Sequence, residues 1–208
     1  MQVTSAVELF DLTEWAHEPD DADESVLARC QRATLDIGCG PGRMVLELTR
    51  RGIPSLGIDI LPEAVRQVRR RGGLALQRSV FGPLPGEGRW SNALLLDGCV
   101  GIGGTPGRLL SRIRELIGPD GLIYVEHEPD DDLDDVTAAK VRDIDGGLGP
   151  ELPWALLGRN ALRSAANEAG LVVLDSWISH SRAFAAIGTA ARTIPPDRGN
   201  REGRVRPR

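Results

Sequence analysis

The chain reads Leu35-Asp36-Ile37-Gly38-Cys39-Gly40-Pro41-Gly42-Arg43 between an apolar run and an amphipathic one. Glycines at alternate positions let the backbone bend tightly and let a ligand lie against it with no Cβ in the way. A helix starting just beyond them offers free N–H groups and a partial positive charge to a carboxylate or phosphate. Asp59 closes the next apolar run, Ser55 to Ile60. A carboxylate there can accept both hydrogen bonds of a ribose diol, the part an acid plays in nucleoside-binding doubly wound folds. The dinucleotide pattern Gly-x-Gly-x-x-Gly needs its third glycine for close packing of helix on strand. Counted from Gly38 that place is Arg43, which is too large.

Two further stretches carry reactive types. Asp97 to Gly107 is dense in glycine and runs into Thr105-Pro106. Its N–H groups either converge as a cradle for a phosphate or carboxylate, or it is a plain connection. Glu126-His127-Glu128 sets an imidazole between two carboxylates. On an extended chain the two acids share one side and His127 takes the other. His127 is then either a general base for an acceptor oxygen or nitrogen, or a hydrogen-bonded strand-end histidine. His17 and His180 are weaker candidates. The three histidines make no metal-ligand spacing, so no metal site is expected.

These residues need a frame. Apolar runs at 33–37, 55–60, 74–80, 91–97, 122–126, 171–179 and 182–187 read as seven strands. Amphipathic helices are expected at 42–51, from Pro62 to about 71, from Thr105-Pro106 to Ile117, and from Asn160 to Ala169. The alternation implies an α/β fold: a Rossmann-like, doubly wound, seven-stranded sheet, mostly parallel, closed by a C-terminal antiparallel hairpin around His180-Ser181. Residues 1–28, with Val7, Phe10 and Trp15 among acids, read as an N-terminal helical cap. Residues 29–191 read as the main domain, and 192–208 as a disordered arginine-rich tail. Val136 to Ile144 suits helix or strand. Trp15 and Trp154 serve either as apolar walls of a lid or as simple packing.

Composition prunes the chemistry. Two hundred and eight residues suffice for one domain burying roughly 70% of its unfolded surface. The 25 basic against 30 acidic residues disfavour a nucleic-acid partner. Cys30, Cys39 and Cys99 make neither a disulfide framework nor a zinc site. No apolar run approaches the ~20 residues of a membrane span. Met1 to Trp15 contains no basic residue, so no export signal is expected, and the expected compartment is cytoplasmic. Lys140 is the only lysine and stands far from the only tyrosine, Tyr124, so the Tyr-x-x-x-Lys pair of short-chain dehydrogenases is missing.

The glycine turn preceded by Asp36, followed by Gly57-Ile58-Asp59-Ile60, the strand ending at Asp97, and Gly118-Pro119-Asp120-Gly121, resembles the class I S-adenosylmethionine-dependent methyltransferases, in order along residues 30 to 128. That resemblance implies S-adenosyl-L-methionine as cofactor. Gly38, Cys39, Gly40 and Gly42 would cradle its methionine part, and Asp36 would hold its ammonium or orient the loop. Asp59 would bind the ribose, and Ile60 would cover one adenine face. Asp97 would meet the ammonium or the acceptor. Arg43 would either meet the cofactor carboxylate or stand exposed on its helix. The family often has an acid after its third strand, where this chain has Arg78-Ser79-Val80-Phe81, so Ser79, Val80 and Phe81 packing would receive the adenine edge. His127 and Glu128 are the candidate catalytic residues. The implied reaction is in-line methyl transfer to a small-molecule acceptor, an anionic one if the glycine-rich loop is its cradle, by a monomer or homodimer. The alternatives are an NAD(P)-dependent oxidoreductase or a methyltransferase-like binding protein without turnover.

Overall fold

A computed structural model of the chain describes residues 2–11 (as backbone), 15–142 and 146–190. In order, β1 (Gln2–Asp11) and α1 (Asp21–Leu27) precede an alternation of β2 (Thr34–Ile37), α2 (Arg43–Arg50), β3 (Ser55–Asp59), α3 (Pro62–Arg70), β4 (Ala75–Gln77) and β5 (Trp90–Leu95). A 3-10 turn at Cys99–Gly101 leads to α4 (Pro106–Leu116) and β6 (Ile117–His127). Then come β7 (Asp134–Arg142), β8 (Leu152–Leu157), α5 (Arg159–Glu168), β9 (Val172–Ser179) and β10 (Arg182–Gly188).

Seven strands form one sheet in the order β4-β3-β2-β5-β6-β10-β9. The first five pair in parallel, and β10 lies antiparallel to both β6 and β9. This is the doubly wound sheet with a C-terminal hairpin that the alternation implies. The hairpin turns at His180 and Ser181, both with positive φ. Helices cover both faces, as a parallel sheet requires. Leu35, Ile37, Ile58 and Leu95 pack with Leu109, Leu110 and Ile113 of α4 and Leu162 and Ala166 of α5. Leu94, Leu96, Tyr124 and Phe184 pack on the other face with Ala22, Val26 and Leu27 around α1 and Met44 and Leu48 of α2. Strand order reverses direction between β2 and β5, and such sheets bind ligands beyond the strand carboxyl ends at that switch point.

Three expectations change. Residues 2–11 are not part of a helical cap: they form β1, parallel to β7, and among the described residues before β2 the one helix lies at Asp21–Leu27. Spacing of Val7, Phe10 and Trp15 suggested a helix, but β7 supplies backbone partners to an extended chain, and Val136 to Arg142 is accordingly strand. β8 completes this second sheet, of order β1-β7-β8. The third apolar run is strand only over Ala75–Gln77, because Gly82 N–H bonds Ser79 O at 3.0 Å and turns the chain out of the sheet. The fifth begins earlier, at Ile117; Trp90 pairs Ile117 and Asn92 pairs Leu122, so Gly118 to Gly121 bulge out of a continuous strand. The expected tail at 192–208 lies outside the described residues. No helix among the described residues is long and apolar enough to cross a membrane.

Candidate active site

The turn after β2 is built on glycines with three different duties. Gly38, Gly40 and Gly42 all have positive φ (+70°, +50° and +91°). A Cβ at Gly38 would sit 2.6 Å from Cys99 Sγ, so this glycine lets the loop after β5 close against the turn. A Cβ at Gly42 would sit 2.5 Å from Val68 Cγ2, so this one seats α3 against α2. Gly42 does not border the cleft, and its close approach to Val68 is one of helix packing. At Gly40 a Cβ would meet no protein atom within 4 Å, yet Gly40 lines the cleft. It is the position where the backbone lies open to a ligand.

Across from Gly40 stands Asp59. Its Oδ2 accepts the Gly40 N–H at 2.9 Å and its Oδ1 the Leu61 N–H at 2.8 Å. Burial pushes its carboxyl above the usual range, and these backbone bonds pull it back. With the Ile60 N–H also bonding this carboxylate, its two oxygens together still keep acceptor capacity. Together with Ile37, Gly38, Cys39 and Ile58, they border a cleft of about 260 Å3. Ile60, 45% exposed, lines it with Ser79, Val80 and Phe81, which the turn out of β4 carries there. Burial holds the Cys39 and Cys99 thiols well above their ordinary pKa, so both are apolar walls.

Asp36 does not line the cleft. It is buried behind the turn, and burial pushes its carboxyl up to about 7, with Arg43 pulling it down and Asp97, Asp59 and Asp23 pushing it up. From there it can support the loop.

Arg43 is buried at the start of α2, not exposed on its helix. Its Nε and Nη2 donate to Asp23 at 2.7 and 3.0 Å, and its Nη1 and Nη2 to Asp97 at 2.7 and 2.9 Å. Burial works against that charge, and the two carboxylates outweigh it. Asp23 reaches this point because α1 opens with a capping box, Asp23 N–H to Asp20 Oδ1 at 2.7 Å and Asp20 N–H to Asp23 Oδ2 at 3.3 Å. Burial pushes Asp23 up, but bonding to Arg43 and the charges of Arg43 and Arg182 leave it below its usual value. Arg182, on β10, joins Asp97 and Asp23 to Glu126 and Asp20. Asp97 itself adopts φ +51°, the left-handed region that a non-glycine residue enters at a cost of about 1–3 kcal/mol when its surroundings hold it there. Its N–H donates to Glu126 Oε2 at 2.9 Å. The sequence singled out Arg43 and Asp97, but not Asp23, Glu126 and Arg182 as their partners. The Asp20-x-x-Asp23 cap was the one local signal.

Four N–H groups of the glycine-rich loop after Asp97 are spent within the loop rather than offered to an anion. The N–H groups of Cys99, Gly101, Ile102 and Gly104 bond Leu96, Gly98, Cys99 and Gly101 carbonyls. A Cβ on Gly101 would collide with Ala155 O and Trp154, and one on Gly103 would crowd Phe81. These glycines let β8 and Phe81 pack close. Ile102 bridges Trp154, and so the second sheet roofs the cleft with Leu152, Pro153, Trp154 and Val141, beside Trp15. Both tryptophans are walls as well as packing.

His127 and Glu128 lie outside this cleft, in a neighbouring chamber of about 370 Å3 with Glu126, Val100, Leu157 and Arg182. Asp97, Trp15 and Trp154 line both spaces, so the two meet there. His127 is buried, and its Nδ1 lies 2.9 Å from Glu128 O. A carbonyl only accepts, so that nitrogen is the donor and Nε2 is the ring atom left to meet a ligand.

Residues 20–176 match the family profile of a methyltransferase domain. The sequence matches none of the curated proteins with which it was compared. Among solved structures, an S-adenosylmethionine-dependent methyltransferase of Bacteroides fragilis, in complex with S-adenosyl-L-homocysteine, is 21% identical with a TM-score of 0.67 over 84% of this chain and 79% of that one. The Burkholderia thailandensis 1,6-didemethyltoxoflavin-N1-methyltransferase is 21% identical, with a TM-score of 0.63 over 85% and 81%. CcbJ methyltransferase of Streptomyces caelestis is 16% identical, with a TM-score of 0.63 over 84% and 92%. These likenesses show a shared fold.

Proposed function

The chain belongs to the methyltransferase-domain family, and from that premise we propose that it transfers a methyl group from S-adenosylmethionine to a small-molecule acceptor. The cleft fits this cofactor. Gly40 leaves open the space a nucleoside's amino-acid arm would take, and Asp59 keeps acceptor capacity for a diol. When bound, S-adenosylmethionine supplies a methyl group already activated on a sulfonium.

The residues then divide the work. Gly38, Cys39 and Gly40 admit the methionine arm along the turn, and Asp59 receives the ribose hydroxyls. Ile60 and Val80 take the adenine faces, with the Ser79 hydroxyl at its edge. Asp36 and Gly42 act from behind, the one supporting the loop and the other seating its helix. Asp97, Trp15 and Trp154 stand where the cleft meets the chamber, and the chamber holds the acceptor. Holding two reactants in line and dry is worth up to about 7–11 kcal/mol of a barrier. Proton removal by His127 Nε2, with Glu128 beside it, adds about 10²–10⁴-fold where the acceptor must lose a proton. A small acceptor suits a roof of only three strands, and the name of the Burkholderia relative specifies such a substrate for that enzyme.

The observation that carries this reading is Gly40 open to the cleft with Asp59 bonded across from it. Calorimetric titration with S-adenosylhomocysteine and with NAD tests it. Uptake of one equivalent of S-adenosylhomocysteine and none of NAD is expected; the reverse order of affinity refutes it.

A further inference from the structure

Glu126 and Arg182 line the chamber and do not border the cleft, yet both reach a residue that does. β10 runs antiparallel to β6 with Phe184 opposite Glu126, so these two side chains share one face of the sheet. Arg182, two residues before Phe184, takes the same face and lies diagonally across from Glu126. Its guanidinium carbon stands 5.3 Å from the centre of the Phe184 ring. It grips Glu126 with two parallel bonds, Nε to Oε1 at 2.8 Å and Nη2 to Oε2 at 2.7 Å. A fork on a carboxylate fixes the geometry of both groups. Nη1 ties the same guanidinium to Asp23 at 2.9 Å.

This pair acts on Asp97. β5 lies parallel to β6 with Leu95 beside Val125, so Glu126 reaches just past the end of β5. There its Oε2, already held by Arg182, accepts the Asp97 N–H at 2.9 Å. Arg182 Nη2 also approaches Asp97 Oδ1 at 3.3 Å. Asp97 has φ +51°, and a non-glycine residue persists there only where its surroundings over-determine it. From the other side Arg43 donates to both carboxylate oxygens, at 2.7 and 2.9 Å. Arg43 thus holds the carboxylate, while Glu126, braced by Arg182, holds the backbone.

We infer that Glu126 and Arg182 are positioning residues for the cofactor. They fix the Asp97 backbone so that its carboxylate stands where cleft and chamber meet, and they set cofactor affinity through Asp97 alone. This rests on the methyl-transfer reading, in which Asp97 stands beside the bound cofactor. Neither residue touches the cofactor, so the effect of removing either one vanishes once Asp97 has no carboxylate to place.

A double-mutant cycle on the full chain tests this, read by calorimetric titration with S-adenosylhomocysteine. Glu126→Ala is expected to weaken binding about fivefold or more, within the range of coupling between residues of one hydrogen-bonded network. Asp97→Gly removes the carboxylate, and glycine adopts the left-handed backbone freely. In that background Glu126→Ala should change affinity by less than about twofold. Arg182→Met keeps an apolar stem near Phe184 and unbraces Glu126; it runs through the same cycle with the same expectation, and carries the test alone if Glu126→Ala does not fold. The second readout is hydrogen exchange of the Asp97 amide, followed by NMR in the ligand-free protein. Arg182→Met should speed it about tenfold while the amides of Leu94 and Val125 keep their rates, whereas general loosening of the fold speeds all three. Undiminished binding by the single variants, an equal loss with and without the Asp97 carboxylate, or an Asp97 amide that exchanges no faster overturns the assignment. Failure of the wild-type chain to take up S-adenosylhomocysteine overturns the cofactor reading instead, and the exchange rates still test the hold on Asp97.

Discussion

Replacing Gly40 and Gly42 separately by alanine should split one glycine turn into two functions. At Gly40 the new Cβ meets no protein atom within 4 Å, and φ is +50°. The cost to the fold is then only that of an L-residue in the left-handed region, about 1–2 kcal/mol. In a domain of this size that lowers Tm by roughly 2–8 °C. The methyl group, however, projects into the cleft where the cofactor's amino-acid arm would lie, and an affinity loss of at least about tenfold for S-adenosylhomocysteine is expected. At Gly42 the backbone is at φ +91° and the new Cβ lies 2.5 Å from Val68 Cγ2. Overpacking adds about 1–3 kcal/mol to the backbone strain, so Tm should fall about twice as far. The folded fraction of Gly42→Ala should still bind the nucleoside. Differential scanning calorimetry gives the stabilities, and isothermal titration below both transitions gives the affinities. Undiminished binding by Gly40→Ala would refute the reasoning, as would a Gly42→Ala variant that is fully stable and fails to bind.

Other perturbations bear on the groups behind the cleft. The Asp36 carboxyl titrates near 7 when folded and near 3.8 when unfolded, so the folded state holds its proton more tightly between those values. Its contribution is fully present below about pH 4 and is lost as pH rises through 7, about 4 kcal/mol in all; Asp36→Asn should flatten this fall in denaturant titrations across that window, and an unchanged slope contradicts the assignment. Arg43→Met leaves Asp23 buried and short of a partner, and should cost about 3–5 kcal/mol in urea unfolding; Arg43→Lys should not restore it, because one ammonium cannot make both bidentate pairs. Gly101→Ala would drive a methyl group into Ala155 O and Trp154 and loosen the roof. Faster protease cleavage within residues 129–157 is expected for that variant, and wild-type resistance would argue against the packing described.

What the sequence discloses is mostly local. Alternating glycines, the acid closing β3 and helix signals such as Pro62 and Gly52 act within a few residues of themselves, so sheet and cleft can be read directly. The second sheet cannot, because β1 finds its partner β7 more than a hundred residues away; alone, the first stretch reads as helix and the second suits helix or strand. Asp23 and Arg182 come together from still farther apart, and the way Asp23, Arg43 and Arg182 fix Asp97 is a property of the folded sheet alone. The dense glycines after Asp97 suggested an anion site because the same composition serves two ends. Close approach of β8 explains them here.

The most direct measurement is a crystal structure of the chain with S-adenosylhomocysteine. Both Asp59 oxygens should lie within hydrogen-bond reach of the ribose hydroxyls, the homocysteine arm should follow Gly38 to Gly40, and the sulfur should face Asp97. A nucleoside whose ribose turns away from Asp59, or one bound outside the cleft, would contradict it.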